Sequence, residues 1–315
     1  MTTKPWAHHD VATLSTGKLV TFSATNSTMR ILDSDGTVIS EHSTEVVTAH
    51  GITPAQDADG NELIWVADTV SGPRPDHRGG YLPWYGAPHG RILALSLDGT
   101  LVRELPLPSM QVYNDHRFEP TAVLPLPAFG QIWVSDGYGA GLIHRYATTG
   151  NHLGIAPACR DGVFNCPHAM VVDHEQGTVL VADRENNRLV ALDPDGALIG
   201  TFARNLRRPS CMAFHEDSIL VGELSASVAQ LDRHGKLIRR IGSDPSAVDR
   251  PGWPNAQDKR GHTIAPPATT GRFNSPHGIT VDTEGRAHVV EWLVGGRHQR
   301  FPVDGTGQVT CLGEH

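Results

Sequence analysis

Nowhere in the 315 residues is there a run of about 18 consecutive apolar residues, so no segment reads as a membrane-spanning helix. The opening "MTTKPWAHHDVATLSTG" lacks the 7–15-residue apolar stretch of a signal peptide, and a soluble, cytoplasmic protein with no membrane partner is expected. Positive charge is scarce: 26 Lys and Arg stand against 34 Asp and Glu, a net charge of −8, with no basic run able to track a phosphate backbone. Nucleic acid is therefore not an expected partner. Four cysteines are too few for a disulfide framework in a chain this long. Cys159, Cys166, Cys211 and Cys311 also show no paired CxxC spacing for zinc, although Cys159 and Cys166 could pair in an exported protein. Helical spacing is almost absent as well, which leaves strands to build the core.

What the chain has instead is self-similarity. "NCPHAMVVDHEQGTVLVADRENNRLVALDPDG", beginning at Asn165, is echoed by "NSPHGITVDTEGRAHVVEWLVGGRHQRFPVDG", beginning at Asn274. Four further segments fit the same template, ending near Gly36 or beginning at Ala49, Glu119 and Arg208. Each has a strand of small and β-branched residues, a polar turn, a second strand such as "LIWVAD" or "VLVAD", and a third strand ending near Asp-Gly or Thr-Gly. Three strands and a closing fourth make one blade, and six such units predict an all-β, six-bladed propeller as a single domain over 1–315, at about 52 residues per blade. The ring is expected to close through the N- and C-terminal strands, with the strand before Lys18 lying alongside "GQVTCLGEH". Two insertions interrupt the pattern, at 71–90 and 242–273.

Histidine is abundant, at 18 residues, and its placement is not random. The position opening each first strand reads His9, His50, Thr121, His168, Ser210 and His277 in chain order. In a propeller this position rings the central axis. Alternate blades lie ~120° apart, so His50, His168 and His277 can converge on one axial point. Three neutral imidazoles around an open fourth position suit a catalytic divalent transition metal, zinc first among the candidates. His9 breaks the strict alternation and reads as a group beside the metal or the substrate.

The "PHGITVD" and "PHAMVVD" openings with "VADRENNRL" resemble NHL repeats. Together with "VSDGYGAGLI" at 134–143 they resemble the lyase domain of peptidylglycine amidating enzymes. That resemblance implies a six-bladed propeller with an axial zinc on His50, His168 and His277, Tyr138 as catalytic base and Arg184 as its partner or as a clamp on a substrate carboxylate. It implies cleavage of a carbinolamide into an amide and glyoxylate, the metal polarising the hydroxyl oxygen while Tyr138 takes its proton, with His9 the next candidate for that proton. The chain departs from the family at several points. "LVTFSATNST" lacks the family's first-blade Arg, Gly139 and Ala191 stand where secreted members carry disulfide cysteines, and Gly278 stands where an Asp would bind a structural calcium. Calcium is therefore not expected.

Within the first insertion, Tyr81, Trp84 and Tyr85 favour an ordered aromatic loop enclosing a small-molecule substrate, with Arg184 as its polar anchor. His77, Arg78 and His89 are placed to reach the channel mouth. Asp68, Asp136, Asp183, Glu223 and Glu291 recur at second-strand ends and read as groups that bond neighbouring turns. The expectation is a metal-dependent lyase acting on a small hydroxylated molecule, as a monomer or weak homo-oligomer. A gluconolactonase-like hydrolase, which would favour Glu, Asn and Asp ligands, and a non-enzymatic NHL scaffold for a protein partner are the alternatives.

Overall fold

Six four-stranded antiparallel sheets account for the chain in the computed structural model, which describes residues 4–24, 27–162, 164–305 and 307–313. The innermost strands are Val11–Thr13, Ala49–Gln56, Ala122–Leu126, Pro167–Asp173, Pro209–His215 and Pro276–Val281. Each touches the next, and the sixth touches the first, so the sheets close into a ring. This is the expected six-bladed propeller.

Burial follows strand order within a blade. The second strands, such as Glu62–Asp68 and Ser218–Glu223, are buried almost throughout because a sheet packs on each face. The outermost strands, such as Val38–Ser43 and Leu101–Leu105, alternate or face solvent. The core is therefore a set of apolar layers between blades, filled by large side chains such as Phe22, Trp133, Tyr146, Phe273 and Phe301.

Closure follows a different route from the expected one. Thr310–Gly313, the strand formed by "GQVTCLGEH", is the outer strand of blade six and pairs only with His298–Pro302, while Val11–Thr13 opens blade one. The N-terminal segment ties the ring elsewhere: Trp6 bridges Val294, Ala7 N–H donates to Leu293 O at 3.0 Å, and Thr13 bonds Thr280 across the seam. The physical reason is that blade six already supplies its own fourth strand. The N-terminal residues therefore run over one end of the ring, and this lays His8 and His9 beside the axis.

Neither insertion is an unstructured loop. The first forms a hairpin of Ser71–Pro75 with Tyr81–Tyr85, and the second contains a short one of Ala256–Gln257 with Thr263–Ile264. Asp76 and Asp258 organise the two turns alike, each carboxylate accepting two backbone N–H groups of its own turn. The turns meet, Thr263 N–H donating to Gly79 O at 3.2 Å.

Candidate metal centre and active site

At one end of the axis, the ring position works as a three-fold hydrogen-bonded circuit. His50 Nδ1 donates to Thr121 O at 2.6 Å, His168 Nδ1 to Ser210 O at 2.6 Å, and His277 Nδ1 to His9 O at 3.1 Å. The intervening hydroxyls continue the circuit, Thr121 to Pro167 O at 2.8 Å and Ser210 to Pro276 O at 2.7 Å. A carbonyl can only accept, so each Nδ1 carries the proton and each Nε2 is left with a lone pair. Fixing the tautomer through a carbonyl is how metal-ligating histidines are commonly oriented.

The three rings gather closely, with centroids 4.6–5.0 Å apart. A fourth imidazole joins them. The ring of His8 lies 4.7 Å from those of His50 and His277, and the nitrogens of His8, His50 and His277 lie within 4.8 Å of one another. Proximity thus selects His8, His50 and His277, whereas the carbonyl circuit selects His50, His168 and His277. The circuit determines which lone pairs are free, whereas His8 Nδ1 has no hydrogen-bond partner among the described residues. His9 is buried at the ring position and serves His277 through its carbonyl, while the ring bonded to Tyr138 is that of His8.

Tyr138 is delivered by a tight turn after Gln131–Asp136. A Cβ at Gly137 would run into Pro167 O, and one at Gly139 into the Asp136 carboxylate and Arg117 O, so both flanking positions require glycine. The Tyr138 hydroxyl lies 3.1 Å from His8 Nε2, 3.1 Å from His50 Nε2 and 2.9 Å from His168 Nε2, and accepts from Arg184 Nη1 at 3.2 Å. Arg184 also donates to Glu185 at 2.9 Å. Tyr138, Arg184, His50, His168 and His277 are therefore together, as the sequence led us to expect, and His8 is the member it missed.

Counting donors tests whether a metal fits. His50, His168 and His277 present three Nε2 lone pairs, yet the Tyr138 hydroxyl has one proton, and His277 Nε2 has no partner. At least two buried imidazole lone pairs thus face the axis without a donor among the described residues, which is costly unless a cation or a water fills the gap. Burial holds His50 down to about 3, and burial with mutual repulsion holds His8 and His168 well below the ordinary imidazole range. The rings are neutral, as metal ligation requires. Burial pushes the Tyr138 phenol up to about 12, outweighing the opposing pull of Arg184. A single guanidinium does not make it a phenolate.

The acidic second-strand ends bond neighbouring turns, as read from the sequence. Asp68, Asp183, Glu223 and Glu291 each also pair with an arginine: Arg91, Arg188, Arg240 and Arg297. Asp136 is different. It accepts from Glu119 N–H and Ala140 N–H, both at 2.7 Å, and from the Tyr113 hydroxyl at 2.7 Å. His144 Nε2 lies 2.6 Å from that hydroxyl, and His144 Nδ1 lies 3.2 Å from His152 Nε2. If the Tyr113 proton goes to Asp136, His144 must donate from Nε2 and His152 must donate to His144 Nδ1.

Of the aromatic residues expected to enclose a substrate, Tyr81 lines a cavity of about 580 Å³ between the two insertions, with Lys4, His77, Arg78, His262 and Val294 among its walls. Trp84 and Tyr85 are occupied elsewhere, under the guanidinium groups of Arg74 at 4.3 Å and Arg117 at 4.4 Å. His89 accepts from Phe118 N–H instead of reaching the channel. Gly278 does leave room, and a carboxylate from another blade takes it: a Cβ there would meet Asp10, whose oxygens accept from Val11 N–H at 2.8 Å and Ile52 N–H at 3.4 Å.

Residues 164–198 match the NHL repeat family. The chain is 33% identical over 97 residues to peptidylglycine alpha-amidating monooxygenase of Rattus norvegicus, a match covering 28% of this chain and 10% of that one. It is 26% identical over 193 residues to peptidyl-alpha-hydroxyglycine alpha-amidating lyase 2 of Drosophila melanogaster, covering 58% of this chain and 41% of the relative. The chain thus spans from a tenth to under half of the length of these relatives. Among solved structures, a streptogramin B lyase superposes with a TM-score of 0.56 at 14% identity, covering 99% of this chain and 95% of the other, a likeness of fold alone. The chain is a six-bladed β-propeller carrying an NHL repeat, with weak similarity to the peptidyl-α-hydroxyglycine amidating lyases.

Proposed function

We propose that this protein is a metal-dependent lyase acting on a small hydroxylated substrate at the axial histidine cluster. The observation that carries the reading is the surplus of lone pairs: three Nε2 atoms fixed by backbone carbonyls meet a single hydroxyl proton. His50, His168 and His277 would hold one divalent transition metal, and zinc suits three imidazoles. When bound, the metal would polarise a substrate oxygen and add a second positive charge beside the phenol.

The chain's own residues supply the rest. Tyr138, with Arg184 stabilising its phenolate, takes the proton of the substrate hydroxyl. The electron pair of that O–H bond becomes the second bond of a carbonyl, and the bond from the same carbon to the leaving atom breaks, its pair departing with that atom. The proton held on Tyr138, with His8 Nε2 3.1 Å from its oxygen, then passes to the departing atom, which leaves protonated. All four imidazoles are buried and Tyr138 is partly so, which limits the access of water to the proton. Weak similarity to an amidating lyase supports this class of C–N bond cleavage.

The test is elemental analysis of the purified protein beside His168→Ala. Near-stoichiometric transition metal that is lost in the variant is expected. Metal-free native protein would refute the reading, and full metal in His168→Ala would refute its ligand set.

A further inference from the structure

Four aromatic rings in series connect the cavity between the insertions with the histidine cluster. Tyr81, on the cavity wall, packs edge-on against Trp6 at 5.2 Å, Trp6 lies 5.3 Å from Trp292, and Trp292 lies 5.9 Å from His8. The series is held at both ends. The Tyr81 hydroxyl donates to Lys4 O at 2.5 Å, and the Trp292 backbone is fixed in both directions to Ser275, by N–H to O at 2.9 Å and by O to Oγ at 2.7 Å. Asn255 of the second insertion receives Val294 N–H at 2.7 Å, which secures the turn that Trp6 bridges.

Both central rings carry a polar atom with nothing to bind. The indole N–H groups of Trp6 and Trp292 are buried and have no acceptor among the described residues. Trp133 and Trp253 show the usual outcome, donating to Gln131 Oε1 at 3.0 Å and Asn274 O at 3.1 Å. A buried indole N–H nearly always finds a partner, and leaving one unmade is unfavourable. Two orphaned donors on adjacent rings, between a cavity and the histidine cluster, call for an acceptor from outside the chain, a water or a ligand atom.

We propose that Trp6 and Trp292 are specificity-determining residues whose indole N–H groups bind a neutral carbonyl oxygen of the substrate, that of an amide or ester, lying between the cavity and the histidine cluster. The inference rests on the reading above for the location of the reaction, but not for its chemistry. Neutral donors match a neutral acceptor, whereas a carboxylate is normally read by a guanidinium. The guanidinium at the cluster, that of Arg184, is committed to the Tyr138 hydroxyl at 3.2 Å and to Glu185 at 2.9 Å, and Arg30 of blade one to Glu41 at 2.7 Å. The substrate class is therefore a hydroxylated, partly apolar amide or ester whose carbonyl lies close to the reacting hydroxyl.

Calorimetric titration with mandelamide, mandelate and 1-phenylethane-1,2-diol tests this directly, because the three probes share the ring and the hydroxyl and differ only at the acceptor. Mandelamide should bind tightest, and Trp6→Phe and Trp292→Phe should each weaken it roughly three- to tenfold while leaving the diol unchanged. Phenylalanine keeps the aromatic packing, and melting temperature and metal content measured beside each titration confirm that fold and cluster persist. Undetectable mandelamide binding, equal affinity for amide and diol, or undiminished affinity in both variants would overturn the proposal. Tighter binding of mandelate would overturn the neutral-acceptor assignment. A protein without metal or turnover that still shows the indole-dependent preference would sink the lyase reading and leave this inference standing.

Discussion

Arg184 donates through Nη1 to the Tyr138 hydroxyl oxygen at 3.2 Å, with its guanidinium carbon 5.2 Å from the centre of the phenol ring. The guanidinium thus favours the phenolate without carrying the proton itself. Tyr138→Phe should retain metal and fold yet lower kcat by about 10²–10⁴, the usual contribution of a positioned base. Single-turnover rates with metal content measured on the same sample decide the matter. An unchanged rate would transfer the role to His8 or to water.

The two candidate ligand sets differ in a single imidazole, which makes them separable. If the carbonyl circuit identifies the ligands, His50→Ala, His168→Ala and His277→Ala should each lose metal, while His8→Ala keeps metal and loses turnover. Metal analysis of the four variants is sufficient. Loss from His8→Ala with retention in His168→Ala would favour the tighter cluster of His8, His50 and His277.

Most of this site was legible because a repeat makes position meaningful. His50, His168 and His277 could be placed on the axis from their shared place in the template, and Tyr138 and Arg184 stood in quotable motifs. His8 was not legible. Two adjacent histidines precede a three-residue strand, and only the course of the N-terminal segment past Leu293 decides which ring meets Tyr138. Nor could the sequence show that the turns at 76–80 and 258–262 would touch, since neither insertion carries the periodicity that placed the blades. The neighbours of Trp84 and Tyr85 were hidden for a related reason: aromatic composition predicts an ordered segment, but no spacing marks Arg74 and Arg117 as the groups that lie over those rings.

Tyr113 acts through Asp136. As the only one of the five second-strand carboxylates without an arginine partner among the described residues, Asp136 depends on Tyr113 and backbone N–H groups to hold the turn that presents Tyr138. Tyr113→Phe should cost about 1–3 kcal/mol of stability, the range for a buried polar group left unsatisfied. It should also lower kcat more than it changes KM. Denaturant unfolding alongside steady-state kinetics would show both effects, and an undisturbed kcat would confine Tyr113 to a packing role.

The same chain predicts an acid response. Burial, reinforced by His152, holds His144 down to about 3, whereas the unfolded chain titrates near 6.5. The folded pKa is depressed, so the stability linked to His144 is complete above about 6.5 and is lost as pH falls from there towards 3. Asp136 acts in the opposite sense: burial raises it to about 6, so its linked stability is present at low pH and lost as pH rises through that value. His144→Gln should flatten the decline in melting temperature between pH 6.5 and 4 relative to the native protein. Parallel profiles would show that His144 does not titrate in the unfolding transition.

On the proposed reading, the hairpin of the first insertion limits the size of what can enter. Tyr81 braces Trp6 edge-on and bonds Lys4 O, so the hairpin both walls the cavity and stabilises the indole series leading to His8. An extended peptidyl carbinolamide would have to pass this wall and would find one guanidinium, Arg184, instead of two. Losing one charge-assisted contact is worth about 1.5–3 kcal/mol, or roughly 10- to 160-fold in kcat/KM. The native protein should therefore turn over an α-hydroxyglycine peptide poorly, and deletion of residues 73–88 should improve entry of that peptide while weakening the binding of compact substrates that need Trp6 in place. Kinetics of both proteins on the same peptide make the comparison. Efficient turnover by the native protein would show that the hairpin is no barrier and that the amidating reaction itself is this site's chemistry.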